Sequence, residues 1–248
     1  MPPGRVTSLL RWAAVGALSG PLLGGALVTS LFSRAGGEAL LRRWCRTACR
    51  LFNIRVRVID HNGSYRQPPY LFVQLNQTSL SESFVTFAAL PRRTRIIANL
   101  EYAAVPLLGQ LVVALGAIVV VRQWPRQARR AIDRAAAALR SGDCLYISIE
   151  GRRSPDGELS PYKKGPAVLA IRSGARVVPV VIHGAREVLP FGEWRVSPGT
   201  VTFELLPEIE VSSLRYQDRD ALVARLLAIY LERRAATAPG PSPGAATS

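Results

Sequence analysis

The sequence predicts an α/β fold, a layered mixed sheet flanked by helices, with an N-terminal membrane-associated helical segment. Three observations predict it. From residue 54 to residue 234, short β-branched runs alternate with segments of helical period, the pattern of a layered α/β domain. Hydrophobic residues are 48% of the 248 residues and charged residues 20%, so a packed core can form and global disorder is excluded. Trp12 to Phe32 holds no charged residue over 21 positions, about 30 Å as a helix, which is one bilayer core.

The uncharged run is interrupted by Ser19-Gly20-Pro21 and Gly24-Gly25, and proline removes a backbone donor. Arg5 and Arg11 precede the run, and Arg34, Arg42 and Arg43 follow it, so basic charge sets no orientation. A full span and a bent, half-inserted hairpin with both ends cytoplasmic both satisfy these facts. A cleaved signal peptide fits less well, because a basic stretch follows directly. From Glu38 to Phe52, Leu40, Leu41, Trp44, Cys45, Ala48, Leu51 and Phe52 fall at helical spacing among Arg42, Arg43, Arg46 and Arg50. That pattern predicts a basic amphipathic helix in a headgroup layer, in preference to a core helix with a solvated arginine face. Residues 1–53 therefore read as a membrane-associated segment, at the cytoplasmic face. Residues 54–238 read as the α/β domain, and 239–248, rich in Pro, Gly and Ser, as a disordered tail.

Within the domain, residues 54–59 alternate as a strand and 61–63 turn. Residues 70–75 form a more apolar strand, 82–90 a short helix ended by Pro91, and 95–98 a third strand. Residues 102–115 read as one helix despite Pro106 and Gly109, and 117–121 as a β-branched strand. The alanine-rich stretch 127–139 is helical and 144–149 is a buried strand. Helix 165–173, strands 176–183 and 201–206, and helix 218–234 complete the order. No internal repeat is visible.

The net charge is +15, and of 32 basic residues all but Lys163 and Lys164 are arginine. Such charge suits a polyanion, either nucleic acid or an anionic membrane; no nucleic-acid motif is present, and the apolar N-terminus selects the membrane. Cys45, Cys49 and Cys144 match neither a disulfide framework nor, with only two histidines, a zinc site. A reducing compartment follows, with no metal and no resident cofactor expected.

Three stretches carry chemistry. Asn76-Gln77-Thr78-Ser79-Leu80-Ser81-Glu82 lies at a strand-to-helix junction. Pro106 to Arg122 ends in Gly116-Ala117-Ile118-Val119-Val120-Val121-Arg122. Glu150-Gly151-Arg152-Arg153-Ser154-Pro155-Asp156-Gly157, followed by Tyr162-Lys163-Lys164-Gly165, leaves a strand as a loop. Arginine forks suit phosphate. The turn residues Ser154-Pro155-Asp156-Gly157 explain themselves, whereas a carboxylate directly after an apolar strand and basic residues on both sides do not.

The order of these pieces resembles the glycerolipid acyltransferases of the lysophosphatidic acid acyltransferase type, over roughly residues 54–210. Glu150 to Ser154 is similar to the family's Glu-Gly-Thr-Arg-Ser, with Arg152 in the threonine place. Gly116 to Arg122 is similar to Gly-x-x-x-x-Asp-Arg, with Val121 in the aspartate place; Tyr162 to Gly165 and Val178-Pro179-Val180 also match. The resemblance implies transfer of an acyl group from acyl-CoA or acyl carrier protein to a lysophospholipid-like acceptor at the membrane, without an acyl-enzyme. It implies phosphate recognition at Arg153, with Arg122, Lys163 and Lys164, and a substrate site that also includes Asn76, Ser79, Glu150, Gly151 and Arg152.

The family's first motif is Asn-His, four residues, then Asp, and this sequence has Gln77 and Glu82 at those places. Glutamine cannot act as a general base. Glu82 can if burial raises its pKa, although Ser79-x-x-Glu82 is also a capping box. His61, in a turn, and His183, at a strand end, are the other candidates. Ser79 and Ser81 lack a neighbouring base and a nucleophile elbow. Two classes therefore stand: an acyltransferase with an atypical site in which Gln77 and Glu82 act, or a non-catalytic relative that binds a lipid or partner at the membrane.

Overall fold

The computed structural model describes residues 4–63, 69–91, 93–121, 123–154 and 158–237. Arg122, the Pro155–Gly157 turn and the tail from 238 lie outside the described residues.

The chain begins with two packed helices, α1 (Arg5–Phe32) and α2 (Arg34–Leu51). Pro21 does not break α1, so the chain does not fold back in mid-run. The reversal comes at Ser33, an extended residue whose side chain accepts the Gly36 N–H and caps α2. By length and composition α1 suffices to cross a membrane, and only 17% of its most apolar window is buried. The expectation for α2 is overturned. Its apolar face, with Leu41, Trp44, Cys45, Ala48 and Cys49 all buried, packs against the rest of the protein instead of facing lipid. Trp44 Nε1 donates to Ser19 Oγ of α1 at 3.0 Å, and its ring packs on Phe84. An apolar stripe is equally suited to a sheet or to a bilayer, and here the sheet is adjacent.

The domain follows as β1 (Ile54–Asp60), β2 (Tyr70–Gln74), α3 (Ser81–Ala89), β3 (Thr94–Asn99), α4 (Leu100–Ala103), α5 (Leu108–Ala114) and β4 (Ile118–Val120). It continues with α6 (Pro125–Arg140), β5 (Cys144–Ser148), α7 (Gly165–Ser173), β6 (Arg176–His183), α8 (Ala185–Val188), β7 (Gly199–Leu205) and α9 (Arg219–Thr237). The helix expected over 102–115 is two short helices. Pro106 interrupts the hydrogen-bond ladder, and α5 folds back so closely that a Cβ on Gly109 would stand 2.1 Å from the Ala103 carbonyl oxygen.

The seven strands form one mixed sheet in the order β1-β7-β6-β2-β5-β3-β4. All neighbours are parallel except β6 and β7. Alternate residues of each strand feed two cores. Phe72, Val178, Val180 and Phe203 face α1, α2 and α3 on one side. Leu71, Val73, Val177 and Val181 face α6, α7 and α9 on the other. The central strand β2 is buried along its whole length, as a strand covered on both faces must be. Its C-terminal end lies beside that of β5, and in open α/β sheets the carboxyl ends of strands are where ligands bind.

Candidate functional site

The segment leaving β2 is held by its own side chains. The Asn76 amide donates to the Ile182 carbonyl at 2.7 Å and accepts the Ile182 N–H at 2.9 Å. Asn76 thus continues the sheet and is itself buried. Ser79 Oγ is also buried; it donates to the Leu189 carbonyl at 2.7 Å and accepts the Ser81 N–H. Both side chains are committed to backbone.

Glu82, in the first turn of α3, is 3% exposed. Its Oε1 accepts the Thr78 N–H at 2.7 Å, the Thr78 hydroxyl at 2.9 Å and the Ser79 N–H at 3.1 Å. Its Oε2 accepts from Gln74 Nε2 at 2.8 Å. The Ser79 bond is half of the expected capping box; the other half is absent, since the Ser79 hydroxyl takes the Ser81 N–H. Burial pushes the Glu82 carboxyl up to about 7, against four hydrogen bonds that pull it down. Gln74 is fixed in turn: its Oε1 accepts the Tyr146 hydroxyl at 2.7 Å and its Nε2 also donates to the Asn76 carbonyl at 2.6 Å.

Among the described residues no hydrogen bond joins Gln77 to Glu82. Its Oε1 accepts from Ser148 Oγ at 3.0 Å, and its N–H donates to Glu150 Oε1 at 2.9 Å. Glu150 is 1% exposed and its other oxygen accepts the Ser160 N–H at 3.0 Å. It therefore pins the loop after β5 to the segment after β2. Burial raises its pKa, opposed by those two backbone bonds. Gly151 follows at φ +73°, a conformation that suits glycine, and its carbonyl accepts from Asn99 Nδ2. The Tyr162 hydroxyl donates to the Leu75 carbonyl at 2.6 Å and the Lys163 N–H to the Ile149 carbonyl at 2.9 Å, closing the loop.

Beside these groups lies a cavity of about 810 Å³. Gln74, Gln77, Glu82, Ser148, Gly151 and Lys163 supply polar groups to its lining. The remainder is largely apolar and includes Trp44, Phe87, Ile97, Val112, Val120 and Ile132. Gln77 and Glu82 therefore share one cavity. Arg153 does not line it; its guanidinium lies over Phe191, 5.9 Å from the ring centre. Arg152 is exposed beside Ser160, and Lys164 is paired with Asp220 of α9 at 2.9 Å.

Neither histidine joins the site. His61 and His183 both bond the buried Glu204, at 2.8 and 2.7 Å, on the α9 side of the sheet, and Arg233 binds the same carboxylate. Burial alone would raise the Glu204 pKa, but the bonds from Arg233, His61 and His183 outweigh it and hold the carboxyl at about 2. Glu82 is thus the carboxyl group among the residues that line the cavity. Sequence reasoning missed Gln74, Tyr146 and Ser148. The available signal was Gln74 itself, a polar residue within the apolar run Tyr70 to Leu75.

Residues 55–183 match the family model named Acyltransferase. A 1-acyl-sn-glycerol-3-phosphate acyltransferase of Limnanthes alba is 30% identical over 73% of this chain and 64% of its own length. A chloroplastic one of Brassica napus is 27% identical over 50% of this chain and 36% of its own length. The human beta enzyme of the same name is 28% identical over 69% and 62%. The chain thus spans less than two thirds of the length of these relatives. The solved 1-acyl-sn-glycerophosphate acyltransferase of Thermotoga maritima superposes with a TM-score of 0.75 at 20% identity, over 94% of this chain and 98% of that one, which shows a shared fold. With more than half of its residues matched by the family model, this chain belongs to the Acyltransferase family.

Proposed function

We propose that the protein is a membrane-bound acyltransferase, acting at the cytoplasmic face, that moves an acyl group from acyl-CoA or acyl carrier protein to a hydroxyl of a lysophospholipid-like acceptor. One observation carries the reading: an apolar cavity of about 810 Å³ has a buried carboxylate with a pKa near 7 in its wall. The volume lies within the roughly 300–1,000 Å³ range of small-molecule sites. The relatives are named for acyl transfer to 1-acyl-sn-glycerol-3-phosphate, which supports a glycerolipid acceptor.

In this reading Gln77 and Glu82 stand where the family carries histidine and aspartate. The acyl chain occupies the apolar part of the cavity. Glu82 accepts the acceptor's hydroxyl proton, its pKa suiting proton transfer near neutral pH. The acceptor oxygen bonds to the thioester carbonyl carbon, the C–S bond breaks, and the proton leaves with the thiol. Gln77, whose Oε1 is held by Ser148, presents its amide N–H groups to the developing negative charge. Lys163 and Arg153 bind phosphate of donor or acceptor, with Arg122 as a further partner and Arg152 and Lys164 adding charge nearby. Asn76, Ser79, Glu150 and Gly151 hold the substrate-facing backbone.

A second reading, a non-catalytic lipid-binding relative, draws on the four donors that already engage Glu82 and on the absence of a hydrogen bond between it and Gln77 among the described residues. The experiment that separates the two is acyl transfer by purified protein with acyl-CoA and several lysolipids, for wild type, Glu82→Gln and Gln77→His. The enzyme reading expects wild-type turnover, its loss in Glu82→Gln and its retention or increase in Gln77→His. Full activity in Glu82→Gln removes Glu82 from the mechanism, and no activity in wild type and Gln77→His alike leaves the binding role.

A further inference from the structure

We infer that the sheet edge at β4, with residues 100–116 and the start of α6, lies on an anionic lipid bilayer as a second membrane contact beside α1. Leu100, Val105, Leu107, Val113 and Trp124 are each between 39% and 59% exposed. The elements around them touch in series: α4 packs on α5, β3 and β4, α6 packs on β4, and α5 packs on α1. The outer side of α1 extends this apolar surface, with Val28, Leu31 and Phe32 between 58% and 87% exposed. Scattered exposed apolar residues need no explanation, but a series on adjoining elements, continuous with a helix of membrane-spanning length, marks an interaction face.

The neighbouring charge says what the face meets. Arg126, Arg130 and Arg134 recur every four residues along α6, with Arg129 beside them, and all four are exposed. The helix has one acidic residue, Asp133, and Arg172 engages it. Among the described residues none of the four arginines forms an ion pair. An apolar band with tryptophan at its border and a basic flank matches a bilayer of anionic lipid, where side chains enter the acyl boundary and guanidinium groups meet phosphates. A soluble acidic protein would satisfy the arginines but give Leu107 and Trp124 nothing to bury against.

The placement has a consequence that rests on the acyltransferase reading. Val105 and Val113 are both surface residues and cavity-lining residues, and Ala128 and Ile132 of α6 line the same cavity. The 100–116 segment is therefore the wall between cavity and exterior. With this edge on the bilayer, an acyl chain enters sideways from the lipid without crossing water.

The test uses the full-length chain in phosphatidylcholine vesicles with and without phosphatidylglycerol, and lipids brominated along the acyl chain. The quenching assigned to Trp124 is the difference between wild type and Trp124→Phe, which removes the contribution of Trp12, Trp44 and Trp194. The expected result is quenching of Trp124 in anionic vesicles. Combined Arg126→Glu, Arg130→Glu and Arg134→Glu should reduce it about tenfold or more, since each basic residue near an anionic surface adds to the attraction. Leu100→Glu, an exposed residue outside the cavity lining, should reduce it as well. An unquenched Trp124 overturns the inference. So does unchanged quenching in the arginine variant combined with loss of binding to an acidic acyl carrier protein, which assigns the stripe to a protein partner. Quenched Trp124 in a protein without acyl transfer upholds the membrane contact and removes only the enzyme reading.

Discussion

Replacing Glu82 by glutamine tests the buried carboxyl without touching its shape. The ordinary carboxyl value is 4.5 and burial raises it to about 7 in the folded chain. Below pH 4.5 the group is neutral whether the chain is folded or not. Between 4.5 and about 7 the folded chain keeps the proton that the unfolded chain releases, so this group's contribution to stability falls as pH rises. Above about 7 both states are ionised and the folded chain bears the whole penalty. At ~1.36 kcal/mol per pKa unit that penalty is about 3 kcal/mol.

Glutamine cannot ionise and removes that dependence. It carries its own cost, however. With its oxygen kept toward Thr78 and Ser79, its amide nitrogen faces Gln74 Nε2, donor against donor. Flipping Gln74 would turn its oxygen toward the Asn76 carbonyl. One bond to the ionised carboxylate is lost in either case, but the protonated wild-type carboxyl loses it too, because its O–H faces the same donors. The variant should therefore match wild type at pH 5 and be more stable than it at pH 8. For a chain of this size ~1 kcal/mol moves the melting midpoint by about 2–4 °C, so the difference between the two proteins should swing by about 6–12 °C. Thermal unfolding in detergent across that pH range measures it. A difference that stays constant with pH would show that Glu82 is not the raised group and would refute the reasoning.

The other predictions concern groups around it. Asn76→Ala strips two bonds from the buried Ile182 backbone and should lower stability by about 2–4 kcal/mol, read as a fall in melting midpoint; an unchanged midpoint would mean that the segment after β2 holds without it. Gly109→Ala forces a methyl onto the Ala103 carbonyl and should cost about 1–3 kcal/mol, with faster hydrogen exchange confined to residues 100–116. Arg153→Ala should weaken binding of a phosphorylated lysolipid about tenfold or more, since a charge-assisted bond to phosphate is worth ~1.5–3 kcal/mol; equal loss for an unphosphorylated analogue would refute a phosphate contact. Glu204, held at about 2 against an ordinary 4.5, supports the fold above pH 4.5, and that support is lost as pH falls through about 2. Acid titration followed by circular dichroism should show that part of the acid dependence missing in Glu204→Gln.

The sequence by itself determined what depends on near neighbours. Periodicity located the seven described strands and the principal helices, and it put Gln77 and Glu150 just after strands and Glu82 at the start of a helix. The spacing of Gln77 and Glu82 across a strand-to-helix turn predicts one pocket shared with Glu150 and Arg153; the cavity lining includes Gln77 and Glu82 but neither Glu150 nor Arg153. Tertiary structure decided whatever needed a partner far along the chain. The apolar stripe of α2 reads alike for lipid and for protein, and only the adjacent sheet and α3 decide that it is buried. His61 and His183 read as possible bases until Glu204 and Arg233, from two other elements, take them. Asn76, expected to bind substrate, completes the sheet at Ile182, 106 positions away. Glu82 has a pKa near 7 because the packed core removes water while Gln74, Thr78 and Ser79 supply the hydrogen bonds. Burial and the meeting of distant groups are set by packing, which local pattern does not encode.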